Sequence, residues 1–251
     1  NIVGTSDSDD LQVSGTVGVV NIKGNWFGTN AAGANLGCTV DDEVSIAITG
    51  GTVNFGGSAA GDGNTVGFGF DDGIEITSTG GTTNVWGNTI GTNSAWADLG
   101  NTDVGIYVNG TGAMFIGGLA AGEGNWICFH DTATNAAIEV NNGSPVIQGN
   151  YIGTNAAGAD LGNSDGISLL AGADSVRIGG ATAGASNIIC RNDDSGLVTA
   201  STNNAVTMDG NLVGVLPNGT IAKNLGDALQ VSAGTLWVGM SGSRANNLVG
   251  S

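Results

Sequence analysis

The strongest constraint on this sequence is an internal repeat. A Gly-Asn pair that is followed within two residues by an apolar one recurs at Gly24, Gly87, Gly149 and Gly210, at intervals of 63, 62 and 61 residues. A second series, in which an apolar residue usually precedes Gly-Gly, lies halfway between these pairs. The two series together give a unit of about 31 residues that occurs about eight times. A chain with this period folds by stacking each unit on its neighbours.

Each unit predicts short β-strands. The chain has 47 Gly and is poor in the residues that favour helices. One unit contains three short runs with alternating side chains, for example at 73–76, 84–86 and 88–90, separated by turn-forming residues. Strands this short bury their apolar faces only against neighbouring units. We therefore predict an all-β fold, a right-handed parallel β-helix of about eight coils in four paired repeats, forming a single domain over residues 1–251.

Two of the repeats resemble a known family. The strings GNYIGTNAAGADLGNSDGI, from Gly149, and IGGATAGASNII, from Ile178, resemble the repeats of large secreted or surface-attached bacterial proteins, the right-handed parallel β-helix repeat proteins. The resemblance extends over nearly the whole chain at the level of the repeat. It implies an extracellular scaffold or adhesin and names no reaction.

Asn recurs once per unit in the turn before the third strand. Equivalent residues of successive coils in a β-helix lie about 4.8 Å apart, so a residue type that recurs once per unit forms a stack. Asn tolerates the left-handed conformation, and its amide can bond to the Asn above and below. The sequence therefore predicts a structural ladder of Asn1, Asn25, Asn64, Asn88, Asn125, Asn150, Asn187, Asn211 and Asn247.

Asp recurs just before the first strand of most units. The predicted stack consists of Asp10, Asp42, Asp72, Asp103, Asp165, Asp194 and Asp227, with Asn135 in the missing rung. Two carboxylates one rung apart repel by about 1 kcal/mol even in water. One interpretation is that each Asp caps its own turn through backbone N–H groups, so that the fold requires no cofactor. The other is that a cation such as Ca²⁺ bridges the carboxylates between coils.

The residue after each ladder Asn should point outward, and in several rungs it is aromatic. We call Trp26, Trp126 and Tyr151 the aromatic stripe. One interpretation is that the loops beginning at Gly28, Gly91 and Gly153 fold over it. The other is that the stripe contacts a second copy of the chain or a carbohydrate, which exposed indoles would favour.

The charge of the chain excludes several partners. With 22 acidic and 5 basic side chains the net charge is −17, which predicts no nucleic-acid binding. The sequence contains no run of about 18 apolar residues, so it predicts no insertion into a membrane. The three cysteines should be free thiols, and the single histidine, His130, is predicted to lie in a surface turn.

Some β-helices degrade acidic polysaccharides, so this alternative needs a test against the sequence. Asp103, in an Asn-Thr-Asp string, and the Asp71-Asp72 pair faintly resemble a polygalacturonase pattern, but its Gly-His-Gly and Arg-Ile-Lys segments are missing. A lyase would need a basic residue in the site, for which Arg177 and Arg191, within a coil of each other, are the candidates. We therefore predict a protein that is not an enzyme.

The two ends of the chain fall at the same point of the repeat. The string from Asn1 aligns with the string from Asn247, so the chain holds a whole number of coils without an evident cap. Open ends of a solenoid are templates for further pairing. The sequence therefore predicts a secreted structural protein, a building block that self-associates by end-to-end coil stacking into a filament or cell-surface fibre. The alternative is an adhesin or glycan-binding segment of a giant bacterial surface protein.

Overall fold

A computed structural model describes residues 1–131, 135–200, 205–239 and 248–250. These residues form short parallel strands joined by turns and loops, without a helix. In chain order the strands are β1 (Ile2–Val3), β2 (Leu11–Ile22), β3 (Trp26–Phe27), β4 (Val44–Gly56), β5 (Thr65–Val66), β6 (Ile74–Ile76), β7 (Thr82–Trp86), β8 (Thr89–Ile90), β9 (Ile106–Asn109), β10 (Ala113–Ile116), β11 (Trp126–Ile127), β12 (Ala136–Gly143), β13 (Val146–Ile147), β14 (Tyr151–Ile152), β15 (Asp165–Ala173), β16 (Arg177–Gly179), β17 (Ile188–Ile189), β18 (Leu197–Thr199), β19 (Ala205–Asp209), β20 (Leu212–Val213), β21 (Leu229–Val231), β22 (Thr235–Val238) and β23 (Leu248–Val249).

The strands stack on three faces of a β-solenoid. The first face is a sheet of two-residue strands in the order β1-β3-β5-β8-β11-β14-β17-β20-β23. The second face contains β6, β9, β12, β15, β18 and β21, and the third contains β7, β10, β13, β16, β19 and β22. The long strand β4 runs through the corner between the second and third faces. It pairs with β6 through Val44–Ile46 and with β7 through 52–56, which joins the two faces in one sheet.

The repeat length predicted from the sequence is confirmed. On the second face the register pairs Leu11 with Val44 and Val44 with Ile74, and it continues through Ile106 to Leu229, with 29 to 33 residues between rungs. The sequence predicts about eight coils, and the described rungs make about seven turns because eight rungs are separated by seven steps. The predicted all-β fold of parallel, stacked strands is therefore correct.

The core is a set of aliphatic columns that run along the solenoid axis. On the first face the second residue of each two-residue strand points inward, and Val66, Ile90, Ile127 and Ile152 are fully buried. Each such side chain contributes about 1.5–3 kcal/mol when it is removed from water. The apolar side chains of each coil pack against those of the coils above and below, so the inside of the solenoid is filled. The surfaces open to a ligand or partner are therefore the outer faces and the loops.

Candidate functional site

The turn before the first face carries a continuous Asn ladder. The Nδ2 atom of each Asn donates to the Oδ1 atom of the Asn on the next rung, at 2.8–3.1 Å. The members of this Asn ladder are Asn1, Asn25, Asn64, Asn88, Asn125, Asn150, Asn187 and Asn211. Asn247 lies outside the described residues.

The buried rungs of the Asn ladder also bind the main chain. At Asn125, which is fully buried, the amide Nδ2 donates to the carbonyl of Val85 at 2.8 Å, and the Oδ1 atom accepts the backbone N–H of Asn88 at 3.0 Å. The same pattern recurs on the neighbouring rungs. The ladder is thus a structural element that fixes the turn and satisfies its buried polar groups.

A second polar ladder lies at the other end of the first face, and the sequence prediction missed it. Its members are Asn101, His130, Asn163, Asn192 and Asn224, joined rung to rung by hydrogen bonds of 2.9–3.2 Å. The prediction that His130 lies at the surface is wrong, because its side chain is fully buried. Its Nδ1 atom donates to the carbonyl of Cys128 at 2.8 Å, and its Nε2 atom accepts from Asn101 at 3.2 Å, so the ring is neutral. Burial lowers the pKa of His130 to about 3.

The two rungs that precede Asn101 in this ladder, those of β3 and β5, fill the position with other residues. Cys38 follows a Leu-Gly pair in its loop, as Asn101 and Asn163 do in theirs. The backbone N–H of Cys38 donates to the Oε1 atom of Glu43 at 2.8 Å. Glu43 is fully buried, and its side chain lies against Gly69, the ladder position before Asn101, which has no side chain: a Cβ at Gly69 would be 3.2 Å from Glu43 Cγ. The Glu43 carboxyl therefore takes the place of the missing Asn side chain.

Glu43 lies beside a second acid. The register sets Asp10 opposite Glu43, and Glu43 Oε2 and Asp10 Oδ1 are both buried without a hydrogen-bond partner among the described residues. Burial raises the pKa of Glu43 to about 8, and the neighbouring Asp10 adds to the effect. At neutral pH the Glu43 carboxyl thus holds a proton in the folded protein.

The acidic residues before the second face do not form one column. The register of the second face aligns the residues two positions before Val44, Ile74 and Leu229. This level contains Asp42, Asp72, Asp165 and Asp227, whereas Asp103 and Asp194 lie one residue earlier in the chain. Asp10 is level with Glu43, so the expectation that it stacks on Asp42 is wrong, and Asp9 takes that place. The predicted column is therefore a band two residues wide, in which Asp42 and Asp72 are buried and Asp194 and Asp227 are exposed.

Two of these acids are buried and hold the main chain of the next rung. The Oδ1 atom of Asp42 accepts the backbone N–H of Asp72, and the Oδ1 atom of Asp72 accepts that of Val104, both at 3.0 Å. Asp42 is 5% exposed and Asp72 is 7% exposed. Burial raises the pKa of Asp42 to about 7 and that of Asp72 to about 8, in part opposed by these N–H groups and increased by neighbouring carboxylates. These two carboxyl groups therefore cap the main chain of the next rung, whereas the sequence predicted that each Asp caps its own turn.

Two groups of three carboxylates come close enough to share a cation. Oxygen atoms of Asp9, Asp41 and Asp42, and those of Asp71, Asp72 and Asp103, lie within 4.8 Å of one another. Oxygen donors of this kind suit Ca²⁺. Asp9, Asp41 and Asp71 are absent from the predicted stack, although the doubled Asp-Asp strings at 9–10, 41–42 and 71–72 were a usable signal.

If Ca²⁺ occupies these groups, it should raise the melting temperature of the chain at pH 8. At a concentration of 100 times its Kd the expected increase is about 5–10 °C, and EDTA should reverse it. Asp42→Asn/Asp72→Asn, which alters both groups, should abolish the increase, and Asp72→Asn alone should reduce it, whereas Asp174→Asn, at an exposed position away from both groups, should keep it. A melting temperature that responds to neither Ca²⁺ nor EDTA would leave only the capping role.

The aromatic stripe lies along the outer side of the first face. Trp26, Trp126 and Tyr151 are all partly exposed. The rings of Trp126 and Tyr151 stack with their centroids 6.1 Å apart. The loop that begins at Gly91 reaches the stripe, since the ring of Trp96 packs edge-on against Trp126 at 5.8 Å. The stripe is thus partly covered by one loop and partly open.

Two clefts, which we call the twin clefts, lie side by side along this stripe. One has a volume of about 470 Å³ and lies between Trp26 and Trp126, with the loop 57–63 as its wall. The other has a volume of about 480 Å³ and lies over Trp126 and Tyr151, with the loop 118–124 as its wall. Both clefts share Gly122 and Trp126. Such volumes are typical of ligand-binding sites.

Trp96 has a backbone conformation that is adopted by glycine at the equivalent positions of three other loops. Four loops begin at a glycine with positive φ, and a second residue with positive φ follows five positions later. In three of the loops this second residue is Gly33, Gly158 or Gly219, with φ of 74°, 79° and 84°. In the fourth it is Trp96, with φ of 61°. The left-handed conformation costs a residue with a side chain about 1–2 kcal/mol. Among these four loops, the residue with backbone strain is the one whose side chain contacts Trp126.

No family model, curated protein or solved structure matches the chain. Within the described residues, no helix has the length and apolar character needed to cross a lipid bilayer.

Proposed function

We propose that the chain is a non-enzymatic structural unit of an extended extracellular fibre on a bacterial surface, in which the coils of one unit stack on those of the next. The observation that carries the proposal is the state of the last rung that the structure describes. Val231 and Val238 occupy inward-facing positions, level with the buried residues Thr199 and Met208, yet they are 51% and 48% exposed. An open rung of this kind is a template for another rung.

The opposite end is exposed in the same way. The strand β2 pairs with β4 on one side, and several of its side chains are open to solvent. Val3 and Val20 occupy inward-facing positions of this rung, level with the buried residues Phe27 and Val53, yet both are partly exposed. A second unit with its own coil geometry would bury these residues, either in a longer chain or between copies.

Fibre formation by the purified chain tests this proposal. We expect electron micrographs to show unbranched filaments, and fibre diffraction to show a reflection near 4.8 Å from the rung spacing. Val231→Asp should abolish the filaments, because it places a charge between stacking rungs. Gln230→Asp, which adds the same charge on the outward side of the same strand, should leave them intact. A chain that stays monomeric at all concentrations would contradict the proposal.

A glycan-binding segment of a surface adhesin is the second candidate. The twin clefts favour it, because they place aromatic rings and hydroxyl groups along an open groove on the first face. The two candidates are compatible, since a fibre can also carry a binding groove.

A further inference from the structure

We propose that the twin clefts bind an uncharged glycan chain that lies along the solenoid axis, and that Trp96 holds this ligand against Trp126. This inference rests on the glycan-binding candidate above and adds the ligand class, the position of the ligand and a residue that contacts it.

The chemistry of the lining selects the ligand class. None of the described residues that line either cleft carries a charge, although the chain as a whole has a net charge of −17. The lining combines aromatic rings and small apolar residues with hydroxyl groups, among them Ser58, Thr89, Ser94 and Ser186. A neutral sugar has apolar C–H surfaces and many hydroxyl groups, so it matches this mixture. A uronic-acid polymer would be repelled by the charge of the protein.

The shape of the site selects an elongated ligand. The two clefts follow each other across successive rungs and meet at Trp126 and Gly122. The rungs are about 4.8 Å apart, and the lining residues Trp26, Thr65, Thr89, Trp126, Tyr151 and Ile188 come from six successive rungs of the first face. A linear oligosaccharide is long enough to contact several of these rungs at once, which a single sugar is not.

Two features beside Trp126, which both clefts share, assign a role to Trp96, whose ring packs against Trp126 without lining either cleft. The Nε1 atom of Trp126 is buried and has no hydrogen-bond partner among the described residues. Trp96 covers Trp126 from a backbone position where the three equivalent loops have glycine with positive φ. A strained residue that persists at a cleft is a reason to infer function there. We infer that the Trp96 loop opens to admit the ligand, which then contacts both indoles and can accept the Trp126 N–H.

Titration calorimetry with a panel of neutral hexasaccharides, including cellohexaose and chitohexaose, tests the inference on the full chain. Polygalacturonate serves as the charged probe. We expect at least one neutral hexasaccharide to bind and to change the tryptophan fluorescence, and polygalacturonate not to bind. Trp126→Ala should weaken binding by more than tenfold, and Trp126→Phe keeps the packing if the alanine variant does not fold. Trp237→Ala, on an exposed residue of the third face, is the matched control and should bind like the wild type.

Trp96→Gly separates the role of Trp96 from the existence of the site. It restores the residue that the other three loops have, so the variant should fold and should melt at the same or a higher temperature than the wild type. We expect it to bind the neutral hexasaccharide about tenfold more weakly. Equal affinity would overturn the role of Trp96 and leave the clefts as a site. If the wild type binds no member of the neutral panel, both the inference and the glycan-binding candidate fail, and preferential binding of polygalacturonate would overturn the ligand class.

Discussion

The Asn125→Ala variant is expected to lose about 3–6 kcal/mol of unfolding free energy, because the buried groups that Asn125 serves are left without partners. Asn125 makes two bonds to Asn88, one to the carbonyl of Val85 and one to the amide of Asn150, all between 2.8 and 3.0 Å. Denaturant unfolding followed by circular dichroism measures the change. An alanine leaves the partners buried, with no water to replace the bonds.

A less buried Asn row on the third face supplies a matched control, in which Asn21 is exposed and Asn54 is half-buried. Asn54 donates to Asn21 at 2.9 Å and accepts from Asn84 at 2.8 Å, with the same rung-to-rung geometry. Because this row lies at the solvent-facing side of the sheet, Asn54→Ala should cost less than about 1 kcal/mol. Equal losses of unfolding free energy in the two variants would show that burial does not increase the contribution of the Asn ladder to stability.

The unfolding free energy should increase by several kcal/mol when the pH is lowered from 9 to 5 in the presence of EDTA. In the folded protein burial raises the pKa of Asp42 to about 7 and those of Glu43 and Asp72 to about 8. In the unfolded chain these carboxyls titrate near pH 4. Between these limits the folded state binds protons that the unfolded state does not, so stability is gained as the pH falls, by up to about 1.4 kcal/mol per pH unit and group.

His130 reduces the gain in unfolding free energy at the lower end of this pH range. Burial lowers the pKa of His130 to about 3, so the folded state resists a proton that the unfolded chain accepts below about pH 6.5. This effect removes stability as the pH falls from 6.5 to 3, whereas the three carboxyls add stability down to about pH 4. The stability maximum is therefore expected near pH 4–5.

Denaturant unfolding at pH 5, 6, 7, 8 and 9 tests the predicted profile. Asp72→Asn keeps an oxygen for the Val104 N–H and removes the titration, so its profile should be flatter than that of the wild type. Glu43→Gln should act in the same direction, and Asp174→Asn should leave the profile unchanged. Stability that rises between pH 5 and pH 8, as in proteins with ion-paired carboxylates, would contradict the burial of these acids.

The sequence predicted the parts of the fold that follow the repeat strictly. The Gly-Asn series located the turn before the first face, and one Asn per unit gave the Asn ladder, because rung stacking requires only that equivalent positions recur. The second polar ladder was harder to predict, since its members change type. His130 and Cys38 each replace an Asn, and at Gly69 the carboxyl group of Glu43 replaces the missing side chain. An alignment of the Leu-Gly-Asn and Leu-Gly-Cys strings could have located Cys38, but it carries no signal for His130.

The site was less predictable than the fold because its features depend on departures from the repeat. The predicted column of Asp residues ignored register shifts of one residue, which decide whether an acid is buried like Asp72 or exposed like Asp71. Trp96 was overlooked because the loop was treated as a variable insertion. Only the comparison of its φ with those of Gly33 and Gly158 shows that the residue stands in a position suited to glycine.

Disulfide formation between engineered cysteines on neighbouring rungs tests the stacking of the coils most directly. Thr52 and Thr82 are paired neighbours on the outer side of the third face, and Ala113 is the neighbour of Thr82 on the next rung. The three natural cysteines are buried and stay reduced in the folded chain. Mild oxidation should crosslink the Thr52→Cys/Thr82→Cys variant, since paired residues lie about 4.8 Å apart. It should not crosslink Thr52→Cys/Ala113→Cys, where two rungs exceed the reach of about 7 Å. The absence of the first crosslink, or equal formation of both, would contradict the stacked solenoid.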